Sequence, residues 1–235
     1  MSIIPKKIID LTHTINEEIP SWESDSPYEK YLVNILSVYK TNGFYSRSIL
    51  IPEHYGTHID APCHLSNGKI SVDNIPIKTL ITSAVVIDVK KKVSKNPDYL
   101  LKIEDIYNWE KKYKAIPPNS VVLMRTGWEK YWMNKNLYLN RDKNGIMHFP
   151  GFSTGVVEFL INKRKINGIG VETLSVDTGI STNFEVHFLL FKNNKYALEN
   201  LANLHLLPPS KVVLIIAPLK IENGSGSPAR IFAIL

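Results

Sequence analysis

Three of the chain's seven histidines, with an aspartate among them, fall within EHYGTHIDAPCHL, residues 53–65. His58, Asp60 and His64 follow His54 by 4, 6 and 10 residues. On a helix, at about 100° per residue, Asp60 would point well away from His54, and Gly56 and Pro62 both oppose an uninterrupted helix. The intervals are all even, so an extended segment turns the four side chains to one side. A bend at Gly56-Thr57 would then curl them round a common centre.

Two imidazoles and a carboxylate are borderline ligands suited to Zn²⁺, Mn²⁺ or Fe²⁺, and three protein ligands leave a coordination position open. An open position points to catalysis more than to structure. The competing reading is a loop whose histidines satisfy backbone groups and in which Asp60-Ala61-Pro62 is only a turn. Clustering of all four residues in one Gly/Pro-bent segment favours the metal. Cys63, the single cysteine, faces away from the even-numbered set in an extended segment and reads as a small packing residue.

The elements that must position this cluster are mostly strands. Runs rich in β-branched and aromatic residues lie at 7–12, 29–39, 45–52, 83–89, 120–126, 166–172, 211–221 and 229–235. Helices are expected at 102–113, 127–135 and 153–165, the last with Ser153 as N-cap, and another near 195–203. Several strands are continuously apolar, which implies burial on both faces and hence covering helices. The fold class is therefore α/β (α+β) with a mixed sheet.

With 235 residues, 44% of them apolar and 21% charged, the chain suits one domain spanning 1–235. No long Gly/Ser or Pro linker and no internal repeat divides it. The start lacks the apolar core of a signal peptide and no run approaches a membrane span, so a cytoplasmic protein without membrane partners is expected. The net charge of +6 raises the question of nucleic acid. Its lysines are scattered, however, and the one local run, KKKVSK at 90–95, reads as a basic turn after a strand, so no nucleic-acid partner is expected.

HYGTHIDAPCH resembles the H-x-G-T-H-x-D-x-P-x-H signature of the cyclase family of metal-dependent hydrolases, which includes kynurenine formamidase and isatin hydrolase. IIDLTHTINEEIP, INGIGVETLSVD, EVHFLL, ALENLANL and GSGSPARIFAIL extend the resemblance nearly end to end. It implies a strand-rich, β-barrel-like core with helices around it, a swivelling β/β/α-like fold, assembled as a homodimer or homotetramer. By the same resemblance His54, His58 and Asp60 match metal ligands, and His64 the catalytic proton shuttle. His187 and Glu199 match two further ligands that complete a second metal position. On residue type alone those two would read as a buried histidine and an exposed helix glutamate.

The implied activity is hydrolysis of a small amide with one or two Zn or Mn ions per subunit: an arylformamide such as N-formylkynurenine, a step of tryptophan catabolism, or a cyclic amide such as isatin. A metal-activated water would attack the carbonyl while His64 carries the proton. A lactone or cyclic-ester hydrolase, or a cyclase or dehydratase, could use the same site. A metal-binding interaction protein with little turnover is the reading from another class, and the intact His64 argues against it. Trp22, Phe44 and Trp128 are candidates to grip a flat substrate, as are Trp132 and His148-Phe149, and Arg125, Arg230 and Ser225 could orient a carboxylate. Glu172 stands where many family members have aspartate, and Leu65 where an aromatic is frequent. PSWESDSPYE, residues 20–29, departs from the commoner Pro-Trp-Pro-Gly pattern, which leaves the substrate open.

Overall fold

The computed structural model describes residues 7–22 and 30–235, so most of the departing segment 20–29 lies outside the described residues. The strands are β1 (Ile8–Asp10), β2 (Leu32–Ser37), β3 (Ser46–Leu50), β4 (His58–Asp60), β5 (Ile81–Asp88), β6 (Leu100–Leu101), β7 (Val121–Arg125), β8 (Gly151–Phe152), β9 (Gly168–Val171), β10 (Tyr196–Glu199), β11 (Val212–Pro218) and β12 (Gly226–Ile234). Seven of them run in the order β12-β11-β5-β7-β9-β10-β4, and β4 pairs back onto β12. The sheet is thus a closed barrel. Strand β12 makes closure possible because it is long enough to hold two partners along one edge. Its first residues pair with β4 (Gly226 with Asp60) and its last with β1 (Ile234 with Ile8).

Neighbours β5, β7, β9 and β10 are parallel, while the other barrel pairs are antiparallel. Parallel neighbours need crossover connections. Two of these carry the helices Ile103–Tyr113 and Thr154–Phe159, and Glu185–Lys192 precedes β10. Ser153 caps the second of these helices, its hydroxyl accepting from the Val156 N–H at 3.3 Å.

Side chains alternate between two apolar cores, as the strand period of two requires. Ile59, Val86, Leu123, Leu198, Leu214 and Ile231 come from six barrel strands and meet in the interior. Their neighbours Val85, Ile87, Val122, Met124 and Ala197 face outward and pack under helix residues such as Ile106, Val156 and Leu190. Burial on both sides explains the continuously apolar strands.

Three local expectations change. Residues 195–203 hold strand β10 (Tyr196–Glu199) and no helix: Ala, Leu and Glu favour helix intrinsically, but pairing between β9 and β4 outweighs propensity. The helix expected at 127–135 divides into a 3₁₀ turn, Trp128–Tyr131, and a short helix, Lys135–Leu139. The basic run holds one helical turn, Lys90–Val93, and Glu185–Lys192 is a helix the sequence pattern does not announce. β2 and β3 stand apart as a separate two-stranded sheet.

Candidate metal centre

Gly56, at φ +65°, turns the chain immediately before β4, and the extended β4 then sends His58 and Asp60 to the outer face while Ile59 enters the barrel. Glu199 lies directly across from His58 in the antiparallel β4–β10 pair, so it shares that face. The helix Glu185–Lys192 covers the face and brings His187 onto it. Five potential ligands from three elements and one loop therefore meet at one spot.

Their ligand atoms form two overlapping sets. His54, His58 and Asp60 make one, Asp60, His187 and Glu199 the other, and within each set the atoms lie within 4.8 Å of one another. His54 Nδ1 stands 2.6 Å and His58 Nε2 3.1 Å from Asp60 Oδ1. His187 Nε2 stands 3.0 Å from Glu199 Oε1 and 3.5 Å from Asp60 Oδ2. Asp60 Oδ2 is buried and makes no hydrogen bond, a costly state for a carboxylate oxygen unless a cation faces it. The donor set fits a divalent ion bound by nitrogen and oxygen.

The electrostatics agree. Burial opposes charge on His58, Asp60, His187 and Glu199, yet these groups compensate each other. Asp60 and then Glu199 overcome the burial of His58 and push it up to about 9, and His187 is raised well above an ordinary imidazole by Asp177, Asp60 and Glu199 despite its burial. Asp60 is held well below the usual carboxylate range by the same imidazoles, His58 first. Burial, with the charge of Asp60, raises Glu199. Two buried carboxylates thus demand positive charge nearby, which protons on imidazoles or a metal ion can provide.

Residues behind the potential ligands orient them. The Gly56 carbonyl accepts from His58 Nδ1 and from Asn200 Nδ2, both at 2.9 Å, leaving His58 Nε2 to face the centre. Asp177 accepts from His187 Nδ1 at 2.6 Å and also from the Val186 backbone N–H, so it sets the ring and the start of its helix together. His54 Nε2 contacts Ser225 Oγ at 2.8 Å, and that hydroxyl donates to Glu53 at 2.6 Å. Gly226 is required beside it, since a Cβ there would stand 2.6 Å from His54 Cε1. Asp177, Asn200 and Glu53 carry no spacing signal of their own: Glu53 and Asn200 adjoin His54 and Glu199 in sequence, yet they bond Ser225 and Gly56, which come from distant segments.

The centre opens into a cavity of about 340 Å³ lined by Trp22, His64, Leu65, Ser175 and Phe184 besides the ligands. His64 follows β4 in the 3₁₀ turn Pro62–His64, its ring 3.9 Å from that of His54 between centroids. Burial and then the neighbouring His54 lower its pKa to about 4, so its imidazole is neutral at pH 7. Trp22 meets Phe184 edge-on at 6.0 Å and forms an apolar wall.

Other candidates stand elsewhere. Phe44 lies in the exposed turn of the β2–β3 hairpin, outside this cavity. Trp128 is buried in the outer core and donates to the Tyr138 carbonyl; Trp132 stacks on His13. His148 pairs with Asp98, and Phe149 is fully buried. Arg125 pairs with Asp88 and Arg230 with Asp10, each at 2.7 Å, and neither lines this cavity. Ser225 serves His54. Cys63 packs against the barrel core, as a small residue should.

A closed barrel with carboxylates and histidines gathered on its outer wall, beside an open cavity, defines a hydrolase centre able to hold a metal ion. The Cyclase family model matches residues 9–178, and the chain belongs to that family. It is 34% identical to the isatin hydrolase of Roseibium aggregatum, over 97% of this chain and 92% of that protein. Its structure superimposes on isatin hydrolase A from Labrenzia aggregata, bound to benzyl benzoate, with TM-score 0.90 and 38% identity, covering 97% of this chain and 93% of that one. The kynurenine formamidase of Bacillus cytotoxicus is 26% identical, over 94% of each chain. Among the described residues no helix is long and apolar enough to cross a membrane.

Proposed function

We propose that the protein hydrolyses the carbonyl–nitrogen bond of a small aromatic amide, with a cyclic amide of the isatin type ahead of an arylformamide such as N-formylkynurenine. The observation that carries this is Asp60 shared between two ligand sets in a cavity that also holds His64. The identity to isatin hydrolases, above that to the kynurenine formamidase, supports the order of substrates. His54, His58 and Asp60 would hold one ion and Asp60, His187 and Glu199 a second, Zn²⁺ or Mn²⁺ by the nitrogen and oxygen donors. When bound, such ions supply Lewis-acid polarisation of the carbonyl and activation of water.

The protein's own residues do the rest. Neutral His64 takes the proton of the attacking water and returns it to the leaving nitrogen as the carbon–nitrogen bond breaks. Trp22, Leu65 and Phe184 grip the aromatic ring and keep bulk water from it. The chain acts as one cytoplasmic domain over 1–235 in a homodimer or homotetramer.

The test is turnover of isatin and of N-formylkynurenine by purified protein, metal-reconstituted and chelated in parallel. Chelator-sensitive opening of isatin is the expected result; no turnover of either compound by metal-loaded protein would refute the substrate class. His64→Ala should keep its metal and lose about a hundredfold or more in kcat, in the range of general acid–base catalysis. Loss of metal in that variant would make His64 a ligand instead.

A further inference from the structure

Tyr138 and Asn200 are buried polar residues that neither line the metal-centre cavity nor belong to its ligand sets. Tyr138 is fully buried on the short helix Lys135–Leu139. Its hydroxyl shares one proton between Asn200 Oδ1 at 2.7 Å and the Glu172 carbonyl at 2.6 Å. Asn200 Nδ2 donates to the Gly56 carbonyl at 2.9 Å, and His58 Nδ1 meets the same carbonyl at 2.9 Å. A chain of buried hydrogen bonds thus joins a helix of the outer layer to a potential ligand on β4. Asn200 also directly follows Glu199, so the chain touches both strands that carry the centre.

The direction of this chain follows from which atoms can only accept. A carbonyl oxygen has no proton to give, so Asn200 must present its N–H to Gly56 and turn its oxygen towards Tyr138. The phenol must then donate. A reversed amide would bring its oxygen about as close to the Gly56 carbonyl as the nitrogen now stands, two acceptors with no proton between them. Burial, and then the charges of Glu172 and Glu199, raise Tyr138 well above an ordinary phenol, so it stays a donor. The surroundings fix both residues. Asn200 sits at φ +54°, a conformation asparagine tolerates, with its N–H on the Thr173 carbonyl at 3.0 Å and its own carbonyl accepting from the Thr57 hydroxyl at 2.6 Å. Trp128 Nε1 donates to the Tyr138 carbonyl at 2.9 Å, and Trp132 meets the Tyr138 ring edge-on at 5.3 Å. These two tryptophans hold Tyr138 and do not line the cavity.

We propose that Tyr138 is a positioning residue of the metal centre: its hydroxyl locks the Asn200 amide, and through the Gly56 carbonyl that amide holds the His58 ring with Nε2 aimed at Asp60. Tyr138 touches neither the cavity nor a ligand atom, so it acts on metal affinity and on kcat and not on substrate binding. This deepens the hydrolase reading and rests on it only where turnover is read.

Chelator competition for Zn²⁺ on the purified full chain tests this without any substrate. Tyr138→Phe should weaken Zn²⁺ binding about tenfold, the lower end of the range for groups behind a ligand. Tyr196→Phe is the control, because it removes another buried phenol hydroxyl, one that donates to the Thr79 carbonyl at 2.7 Å and lies outside the chain to His58. Both variants should lower the denaturation midpoint, but only Tyr138→Phe should lower Zn²⁺ affinity. Asn200→Gly keeps the left-handed backbone and should weaken Zn²⁺ at least as much. Adding Tyr138→Phe to it should weaken binding no further, since the hydroxyl acts through the amide. Unchanged affinity in Tyr138→Phe, an equal loss in Tyr196→Phe, or additive losses in the double variant overturns the proposal. Should Tyr138→Phe not fold, unchanged affinity in Asn200→Gly overturns it. With isatin at saturating Zn²⁺, Tyr138→Phe should lower kcat and leave KM unchanged. If wild type turns over no substrate, the hydrolase reading fails while the Zn²⁺ affinities still decide the role of Tyr138.

Discussion

The two faces of strands β4 and β10 obey opposite rules. Inward, Ile59 and Leu198 are fully buried among aliphatic side chains, where packing alone sets their contribution. Outward, one residue away on each strand, His58, Asp60 and Glu199 are almost as buried yet fully polar, and each depends on partners of opposite charge. Rigidity follows from the inner face and chemistry from the outer one. A strand buried on both sides can hold ligands on a stiff wall because its other face is anchored in the barrel.

This contrast is open to direct attack. The largest effect should come from Asp60→Ala, which removes the residue common to both ligand sets: metal content by elemental analysis and activity should fall together, activity by about a thousandfold or more, a barrier increase of roughly 4 kcal/mol. Unchanged metal content would break the assignment. Ile59→Ala, one residue away, should do the reverse. It should lower stability by about 2–5 kcal/mol in denaturant unfolding while the folded protein keeps its metal and its turnover. Equal damage to catalysis would mean that the two faces are not separable.

Ser225→Ala should have a smaller and more selective effect. His54 loses the hydroxyl that orients it, and metal affinity in a chelator competition should weaken about tenfold, with thermal stability little changed. An unchanged affinity would leave the Glu53-Ser225 pair without a role at the centre.

Glu172 sharpens the electrostatic side of the comparison. It is buried like Asp60 but has no imidazole beside it; one oxygen accepts from Thr126 and Gly127 and the other has no partner. Burial therefore pushes its pKa up to about 7. A raised carboxyl binds a proton in the folded state that the unfolded chain has already released. Its contribution to stability is thus fully present below about pH 4.5 and is lost as pH rises towards and through 7, by up to about 1.4 kcal/mol per pH unit. Glu172→Gln should flatten this part of the stability profile, measured as melting temperature against pH. An unaltered slope would show that Glu172 is ionised in the fold throughout.

Much of the centre was legible because it is local. Even spacing across residues 54–64, with Gly56 to bend the chain, placed His54, His58 and Asp60 together before any fold was known, and β4 keeps that geometry. The β-branched runs likewise located most of the barrel strands, because burial on both faces leaves an unbroken apolar record. His187 and Glu199 were different. Only their resemblance to family segments singled them out, and Glu199 read as a helix residue by propensity although it is a buried strand residue. Phe44 and Trp128 were equally plausible as aromatic groups, yet one ends on an exposed arm and the other inside the outer core.

Residue type and short-range spacing by themselves determined the chemistry available: nitrogen and oxygen donors gathered in one bent segment, and a mixed α/β frame with apolar strands. Tertiary structure decided which distant groups share the site. The closure of β4 onto β12 brings Ser225 and Gly226 to His54, and the register of β4 on β10 sets Glu199 against His58. Packing of the helix Glu185–Lys192 brings His187, with Asp177 behind it, to Asp60. These choices depend on pairings across more than a hundred residues, whose cost and reward no local pattern contains.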